Sequence, residues 1–206
     1  MKPLRILVFA KAPRPGRVKT RLVPALGEQG AARLAACLLA QALEHALAAG
    51  VGAVELCMSP APGHPDWAAT SLPGHIDLSD QGVGDLGERM ARATRRTLAA
   101  GEAVLLMGSD CPALDPERLR YAAAQLAEYD AVLHPAADGG YPLLGVNAFA
   151  PELFEAMPWS TAEVARLTLQ RLDALGWRTW VGETLNDIDT PADLALVGPI
   201  AGFRVE

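Results

Sequence analysis

The hydrophobic positions of the chain form short continuous apolar runs that alternate with longer segments in which apolar residues recur at helical spacing. The short runs have the length of buried strands, and the clearest of them is Ala103–Met107. Leu34, Leu38 and Ala42 share one helical face, and Gly50 follows as a stop signal. The predicted strands are Leu4–Phe9, Val54–Met58, Ile76–Leu78, Ala103–Met107, Ala131–His134, Tyr141–Val146 and Trp177–Val181.

Capping residues set the predicted ends of the helices. Asp85 precedes one apolar-periodic segment, and Asp115 followed by proline precedes another. Ser160 and Glu163 have the spacing of a capping box, which predicts a helix beginning there. The predicted helices are Glu28–Ala49, Leu86–Ala100, Pro116–Tyr129, Ser160–Leu175 and a short last one beginning at Thr190-Pro191.

Strands that alternate with helices of ten or more residues predict an α/β protein with a mainly parallel sheet and helices on both faces, a three-layer Rossmann-like architecture. No internal repeat or low-complexity linker is present, so we expect one domain over residues 1–206. Ligands of such sheets bind beyond the carboxyl ends of the strands. The loops after Phe9, Leu78, Met107 and His134 are therefore the places to search for chemistry.

Composition and charge exclude several function classes. The chain has 18 basic and 24 acidic residues, a net charge of −6 and only 5% aromatic residues, which disfavours general nucleic-acid binding. Its longest stretch without a charged residue, Gly139–Pro151, has 13 residues and contains glycines and prolines, whereas a membrane helix needs about 20 apolar residues. The first apolar run contains Arg5 and is followed by Lys11, so it is too short for a signal-peptide core. We expect a cytoplasmic protein.

The cysteines indicate neither disulfides nor a structural zinc site. There are three of them, Cys37, Cys57 and Cys111, without close spacing. We expect free thiols.

A cationic loop follows the first predicted strand. Seven of the 18 basic residues lie within residues 1–21, which contain no acidic residue, and five of those seven stand between Lys11 and Arg21. Such a loop at a strand's carboxyl end favours a phosphate chain, since arginine and lysine both bind phosphate oxygens. Lys19 and Arg21 are the best candidates. The alternative is a solvated basic turn, and neither a Walker A loop nor a dinucleotide fingerprint is present.

Two groups of aspartates are candidates for a metal site. Asp110 follows the central predicted strand, and Asp187 and Asp189 are spaced to lie on one side of an extended segment. Mg²⁺ prefers one or two carboxylates together with substrate phosphates. Alternatively, Asp110 is a plain turn residue, and Asp189 or Thr190 caps the last helix.

A phosphatase is a third interpretation of the second group. Asp187, Asp189 and Thr190 resemble the nucleophile motif of haloacid-dehalogenase-type phosphatases. Only 16 residues follow Thr190, too few for the α/β core that this motif requires.

Two glycine-rich segments complete the candidate chemistry. Asp80–Met90 contains three glycines before and into a helix start, where backbone amides can approach an anion. Asp138-Gly-Gly-Tyr141 is typical of a tight turn and needs no chemistry. His45, His134 and the tryptophans Trp159, Trp177 and Trp180 are interpreted as packing residues.

Taken together, these motifs resemble those of a bacterial family of glycosyltransferase-like nucleotide-diphospho-sugar transferases with the GT-A fold. The resemblance extends from about Ile6 to Leu194. Its first loop is also similar to that of 2-phospholactate guanylyltransferases and, more distantly, of molybdenum-cofactor guanylyltransferases. The motifs that carry it are Phe9–Leu22, Asp85–Met90, Gly108–Pro112, Asp138–Tyr141, Trp159–Thr161 and Asp187–Pro191.

The resemblance implies a set of roles for residues of this chain. Asp110, Lys19 and Arg21 would be the catalytic residues, and Asp110, Asp187 and Asp189 would hold Mg²⁺ or Mn²⁺. The residues expected at the nucleotide are Ala10, Lys11, Lys19, Arg21, Gln81, Gly82 and Gly87. Those expected at the second substrate are Asp138, Gly139, Tyr141, Ser160 and Thr161.

Two positions depart from the family pattern. Pro142 follows Gly-Gly-Tyr where an aromatic residue is common, and His134 stands where a glycine is expected. Both departures concern the acceptor side of the expected site.

The resulting hypothesis is a metal-dependent transferase that uses a nucleotide-activated donor, interpreted as a nucleotide-sugar, and a small-molecule acceptor. A nucleotidyltransferase that releases pyrophosphate is the alternative, because it would use the same machinery. A non-catalytic nucleotide-binding module is the second alternative. The base, the acceptor and the oligomeric state are left open.

Overall fold

The computed structural model describes residues 2–196 and 202–203, and a seven-stranded sheet forms its centre. The strand order is β3-β2-β1-β4-β6-β5-β7. β6 is antiparallel to both of its neighbours, and the other neighbouring strands are parallel. The strands are β1 (Leu4–Lys11), β2 (Ala53–Ser59), β3 (Asp77–Asp80), β4 (Ala103–Gly108), β5 (Ala131–His134), β6 (Leu143–Val146) and β7 (Thr179–Val181).

Helices cover both faces of this sheet, which confirms the predicted fold class. Because successive strand residues point to opposite faces, Ile6 packs in a core cluster with α1 and α3, and the adjacent Leu7 packs in a second cluster with α2 and α4. Both side chains are fully buried. The helices are α1 (Val23–Ala49), α2 (Leu86–Ala99), α3 (Pro116–Glu128), α4 (Val164–Ala174) and α5 (Pro191–Leu196).

Three predicted helix ends are confirmed by their capping contacts, whereas α1 begins at Val23, before the predicted Glu28. The Asp85 carboxylate accepts from the Glu88 backbone, and the Glu88 side chain accepts from the Asp85 backbone, so α2 begins with a full capping box. The Asp115 side chain caps α3 in the same position. Gly50 ends α1 with a φ of 64°, a left-handed conformation that glycine adopts without strain.

The predicted capping box at Ser160 is wrong. Ser160 has a φ of 64°, and helix α4 begins only at Val164. The Thr161 hydroxyl donates to the Pro158 carbonyl, and the Glu163 side chain pairs with Arg166 instead of folding back to cap the backbone. The segment Trp159–Glu163 is therefore a loop at the carboxyl edge of the sheet, not the first turn of a helix.

Several predicted strand boundaries also move, and β1, β2 and β4 are each one or two residues longer than predicted. β3 is Asp77–Asp80 where Ile76–Leu78 was expected, β6 begins at Leu143, and β7 begins at Thr179.

Within the described residues, no helix is both long and apolar enough to cross a membrane. Cys57 and Cys111 are buried free thiols, and Cys37 is a half-buried one. The expected single domain also includes Met1, 197–201 and 204–206, which lie outside the described residues.

Candidate active site

The candidate site lies at the carboxyl edge of the sheet, where loops from distant parts of the chain meet. The basic loop follows β1, Asp110 follows β4, and a segment of extended backbone carries Asp187 and Asp189 across the same edge. The Ile188 N–H donates to the Asp110 carbonyl at 2.9 Å, which fixes this segment beside the β4 loop. Ile188 itself is fully buried in a core cluster, and the two flanking aspartates are only partly buried.

Lys19 joins the two acidic groups. Its Nζ lies 2.9 Å from Asp110 Oδ2 and 2.8 Å from Asp189 Oδ1, and only 4% of its side chain is exposed. Burial opposes the charge of the ammonium, but the two carboxylates outweigh that effect and raise the pKa of Lys19 above its ordinary value. Lys19 is therefore a charged residue that closes a bridge between residues far apart in the chain.

Backbone strain is stored at two positions of the site. Lys19 has a φ of 47° and Ser160 a φ of 64°, left-handed values that a residue with a Cβ adopts at a cost of about 1–3 kcal/mol each. Such conformations persist where the surroundings fix them, which at Lys19 is the work of its two carboxylate partners.

Asp187 is the most perturbed acidic group of the site. Burial, together with the nearby carboxylates of Asp110, Asp138 and Asp189, raises the pKa of Asp187 to about 7. Its Oδ1 is buried and has no hydrogen-bond partner among the described residues. An oxygen in this state needs either a proton or a cation brought in from outside.

The carboxylates fit a divalent cation only in part. Within the described ranges, no three acidic, histidine or cysteine side chains are gathered closely enough to hold a metal by themselves. Asp110 and Asp189 form ion pairs with the same lysine, Lys19, in place of a shared metal ion. Mg²⁺ and Mn²⁺ sites on phosphate substrates need one or two protein carboxylates and take their other ligands from phosphate oxygens. Asp110 and the orphaned Asp187 oxygen suit that arrangement.

Two cavities open on this cluster of charges. The first, which we call the basic cavity, has a volume of about 500 Å³. Six residues predicted to bind nucleotide or metal line it: Ala10, Lys11, Lys19, Gln81, Asp110 and Asp189. Arg17, Arg89 and the helix residues Ala35 and Leu39 also line it. Its wall is thus cationic at the loop and apolar at α1.

Gln81 forms part of the wall of the basic cavity and ties two strands together. It is 6% exposed, and its Nε2 donates to the Ala10 carbonyl at 3.1 Å and to the Cys57 carbonyl at 2.8 Å. Both N–H groups of the Gln81 amide are therefore engaged by backbone carbonyls, and its amide oxygen is the polar atom left for a ligand.

The second cavity, which we call the Tyr141 cavity, has a volume of about 450 Å³. Four residues predicted on the acceptor side line it: Asp138, Tyr141, Ser160 and Thr161. Asp187 and Asp189 reach it from the acidic segment. Burial raises the pKa of the Tyr141 phenol, so this hydroxyl keeps its proton at neutral pH.

Gly139 serves the packing of this region. It has a φ of 89°, and a Cβ there would lie 2.2 Å from the carbonyl oxygen of Ala162. Its own carbonyl accepts from the Ala165 N–H at 2.8 Å. Gly139 thereby holds the Asp138 turn against the start of α4, while the adjacent Gly140 lines the cavity.

Three predicted nucleotide residues lie elsewhere. Arg21 lines the Tyr141 cavity and not the basic cavity. Gly82 and Gly87 line neither: a Cβ on Gly82 would meet the Arg92 guanidinium at 2.7 Å, and one on Gly87 would meet the Phe154 carbonyl at 2.4 Å. The two glycines allow close packing around the start of α2.

The two cavities share a wall, and the charge cluster stands at their junction. Residues common to both are Phe9, Leu86, Trp159, Ser160 and Asp189. The sequence predicts Trp159 as a packing residue, whereas the structure places it in this shared wall, with its Nε1 buried and without a hydrogen-bond partner in the described part of the chain. Its place in the Trp-Ser-Thr motif was the only sequence signal for this role. The arrangement provides two adjoining compartments with acidic groups and a lysine between them.

A protein-family model described as "Uncharacterized protein conserved in bacteria (DUF2064)" matches residues 29–161. The chain belongs to DUF2064. No curated protein matches this DUF2064 chain.

Solved structures share the fold. A protein from Desulfovibrio desulfuricans G20, assigned by name to the nucleotide-diphospho-sugar transferases, is 34% identical with a TM-score of 0.82, over 92% of this chain and 84% of that chain. Rv0371c from Mycobacterium tuberculosis H37Rv, in complex with manganese, is 20% identical with a TM-score of 0.55, over 95% and 97%. A CMP:2-keto-3-deoxy-manno-octonic acid synthetase complexed with CTP is 14% identical with a TM-score of 0.55, over 94% and 96%. The last two likenesses concern the fold alone.

Proposed function

We propose that this DUF2064 protein is a metal-assisted transferase that binds a nucleotide-sugar donor in the basic cavity and a small acceptor in the Tyr141 cavity. The observation that carries the proposal is the junction of the two cavities, where Asp110, Asp187, Asp189 and Lys19 meet. A transferase must hold two substrates in contact and stabilise negative charge between them, and the junction suits both tasks.

The basic cavity suits the phosphate chain of the donor. Lys11 is exposed at its wall, Arg17 and Arg89 are further cations there, and Lys19 lies at its inner end. Arg21 lines the adjoining Tyr141 cavity. On departure of a nucleoside diphosphate, these cations stabilise the charge that develops on the leaving phosphate oxygens. No activated nucleophile of the protein is required.

A divalent ion, Mg²⁺ or Mn²⁺, would be held by Asp110 and Asp187 with phosphate oxygens as its other ligands. When bound, it would supply further stabilisation of the leaving diphosphate. The manganese complex of the fold relative from Mycobacterium tuberculosis supports this assignment. The unpartnered Asp187 oxygen in this chain supports it independently.

Sugar transfer is favoured by the 34% identical relative, whose name assigns it to the nucleotide-diphospho-sugar transferases. Nucleotidyl transfer is the second candidate, and the fold relative complexed with CTP favours it. It would break the bond between the α and β phosphates of a nucleoside triphosphate and release pyrophosphate. The released product separates the two reactions directly: a nucleoside diphosphate in the first, pyrophosphate in the second.

Thermal unfolding with a panel of nucleoside triphosphates and nucleotide-sugars, with and without Mn²⁺, tests the proposal. A ligand at 100 times its dissociation constant stabilises the folded chain by about 2.7 kcal/mol, which raises the melting temperature measurably. We expect a Mn²⁺-dependent rise for one donor class that is lost in Asp110→Asn. Asp173→Asn, on the exposed surface of α4, is the matched control and should retain it.

Two results would contradict the proposal. A chain that responds to no nucleotide would remove the basis for assigning the basic cavity. A nucleotide response that is independent of metal and unchanged in Asp110→Asn would indicate a binding module without catalysis. Where the response is metal-dependent, product analysis with the responding donor then distinguishes sugar transfer from nucleotidyl transfer.

A further inference from the structure

A third cavity lies at the same edge of the sheet and is separate from the candidate active site. It has a volume of about 430 Å³ and is formed by the ends of β5 and β7 and by the first turns of α3. None of the residues assigned above to nucleotide, acceptor or metal lines it, but His134 does, so this departure from the family pattern lies outside the acceptor-side cavity where it was expected. We call it the Trp180 cavity.

Three aromatic rings form a corner in this cavity. The Tyr121 ring lies 5.4 Å from the Trp180 ring at an interplanar angle of 70°, and the His134 ring lies 5.3 Å from it at 75°. Tyr121 is 54% exposed although it is a large aromatic residue. Ring faces carry a negative quadrupole and attract cations placed over them.

The charged residues of the Trp180 cavity also favour a cation. Asp115, Glu117 and Glu183 face one guanidinium, that of Arg118. Arg118 is already engaged, since its Nη1 lies 2.9 Å from Asp115 Oδ2 and its Nε 2.6 Å from Glu183 Oε1. Two negative charges remain in excess, so the cavity attracts cations and repels anions.

The inner wall of the cavity is fixed by the fold. His134 is only 3% exposed, and its Nδ1 lies 3.0 Å from the Glu183 carbonyl oxygen, to which it donates. Its Nε2 has no hydrogen-bond partner among the residues that the structure describes. A Cβ on Gly182 would lie 2.3 Å from His134 Cε1 and 2.6 Å from Trp180 Cη2. Only glycine at 182 leaves room for these two rings.

We propose that the Trp180 cavity binds a small organic cation of the alkylammonium class. Aromatic faces and carboxylates without free basic groups recognise this chemistry, because the rings contact the alkyl groups and the acids neutralise the charge. A bare metal ion is disfavoured because Arg118 already engages two of the three carboxylates, and an anion would meet the excess negative charge. The proposal is independent of the proposed transferase activity.

Calorimetric titration of the full chain with choline and with its uncharged isostere dimethylbutanol tests this proposal. We expect choline to bind and dimethylbutanol to bind much more weakly, because the two differ only in charge. Tyr121→Leu should weaken choline binding about 2- to 30-fold, the range of a lost cation–π contact. Glu117→Gln should weaken it as well, and Glu128→Gln, an exposed acid on α3 outside the cavity, should leave it unchanged.

The proposal is overturned if choline does not bind, if dimethylbutanol binds equally well, or if acetate binds in place of choline. Equal weakening by Glu117→Gln and Glu128→Gln would also overturn it, since that result indicates a non-specific effect of net charge. Both Tyr121 and Glu117 are exposed, so their variants are expected to fold.

Discussion

Replacement of Asp187 by asparagine should stabilise the folded protein at neutral and alkaline pH. The pKa of Asp187 is raised from 3.8 to about 7, a shift of about three units, and each unit corresponds to 1.36 kcal/mol. The free-energy cost of ionising this carboxyl in the folded protein, relative to the unfolded chain, is therefore about 4 kcal/mol. That figure is an upper limit for the gain, because the carboxamide has its own desolvation penalty.

The pH dependence gives this prediction its sign. Between about pH 4 and pH 7 the unfolded chain loses the Asp187 proton and the folded chain keeps it, so the free energy of unfolding falls as pH rises. Above about pH 7 the full penalty is present. Asp187→Asn removes a group that titrates, so the stability difference between variant and wild type should be largest near pH 8 and should vanish near pH 4.

Urea unfolding of both chains at a series of pH values, with a metal chelator present, measures this difference. Asp173→Asn serves as a control and should show no such pH-dependent gain. A variant that is no more stable than wild type at pH 8, or a difference that stays constant with pH, would refute the reasoning. Without the chelator, Mn²⁺ should stabilise the wild type more than the Asp187→Asn chain, because only the ionised carboxylate binds the ion strongly.

Three further substitutions test the remaining contacts. Lys19→Met should abolish the nucleotide-dependent rise in melting temperature and reduce the free energy of unfolding by about 1–3 kcal/mol. The loss is smaller than for a fully buried ion pair, because both carboxylates are about two-fifths exposed. The control Lys2→Met should have neither effect. Gly139→Ala should reduce the free energy of unfolding by about 1–3 kcal/mol more than Gly101→Ala, because both glycines have similar positive φ but only the first would meet a backbone carbonyl; equal losses would remove the steric argument. Glu55 is 2% exposed, and although burial opposes its charge, hydrogen bonds from arginine and serine lower its pKa. Glu55→Gln should therefore lose about 2–4 kcal/mol in urea unfolding at neutral pH, a deficit that must shrink as pH falls through the acid range.

The fold class could be predicted from local sequence patterns, because the apolar positions that form those patterns are the ones that the folded protein buries. Adjacent strand residues such as Ile6 and Leu7 are both apolar, which requires a core on each face of the sheet, and the structure has one on each. The Asp85 and Asp115 caps are contacts within four residues, so sequence alone contains them. The predicted box at Ser160 has the same spacing but fails, because the left-handed backbone at Ser160 and the pairing of Glu163 with Arg166 are set by the surrounding loop.

The sequence could predict which loops form the candidate site, but not which of their side chains contact each other. Lys19, Asp110 and Asp189 were each candidates, but nothing local shows that one ammonium joins both carboxylates. Arg21 stands two residues from Lys19, within the short 3₁₀ helix Thr20–Leu22, and lines the other cavity. Trp159 lies in the shared wall, on the loop that precedes α4, and apart from the Trp-Ser-Thr motif nothing in its local sequence indicates that position.

The Lys19 bridge also has a consequence for the order in which the molecule is made. Lys19 and Asp189 are separated by 170 positions, so during synthesis the second counterion emerges 170 residues after the lysine. Until that segment docks, the loop after β1 can pair only with the loop after β4, through Lys19 and Asp110. The left-handed backbone at Lys19 then lacks one of its two carboxylate partners. The sheet can form around β1, β2 and β4 well before this point, because their contacts do not involve the last segment. A growing chain would therefore form its sheet before its candidate site is complete. The Lys19–Asp189 ion pair forms only in the completed site.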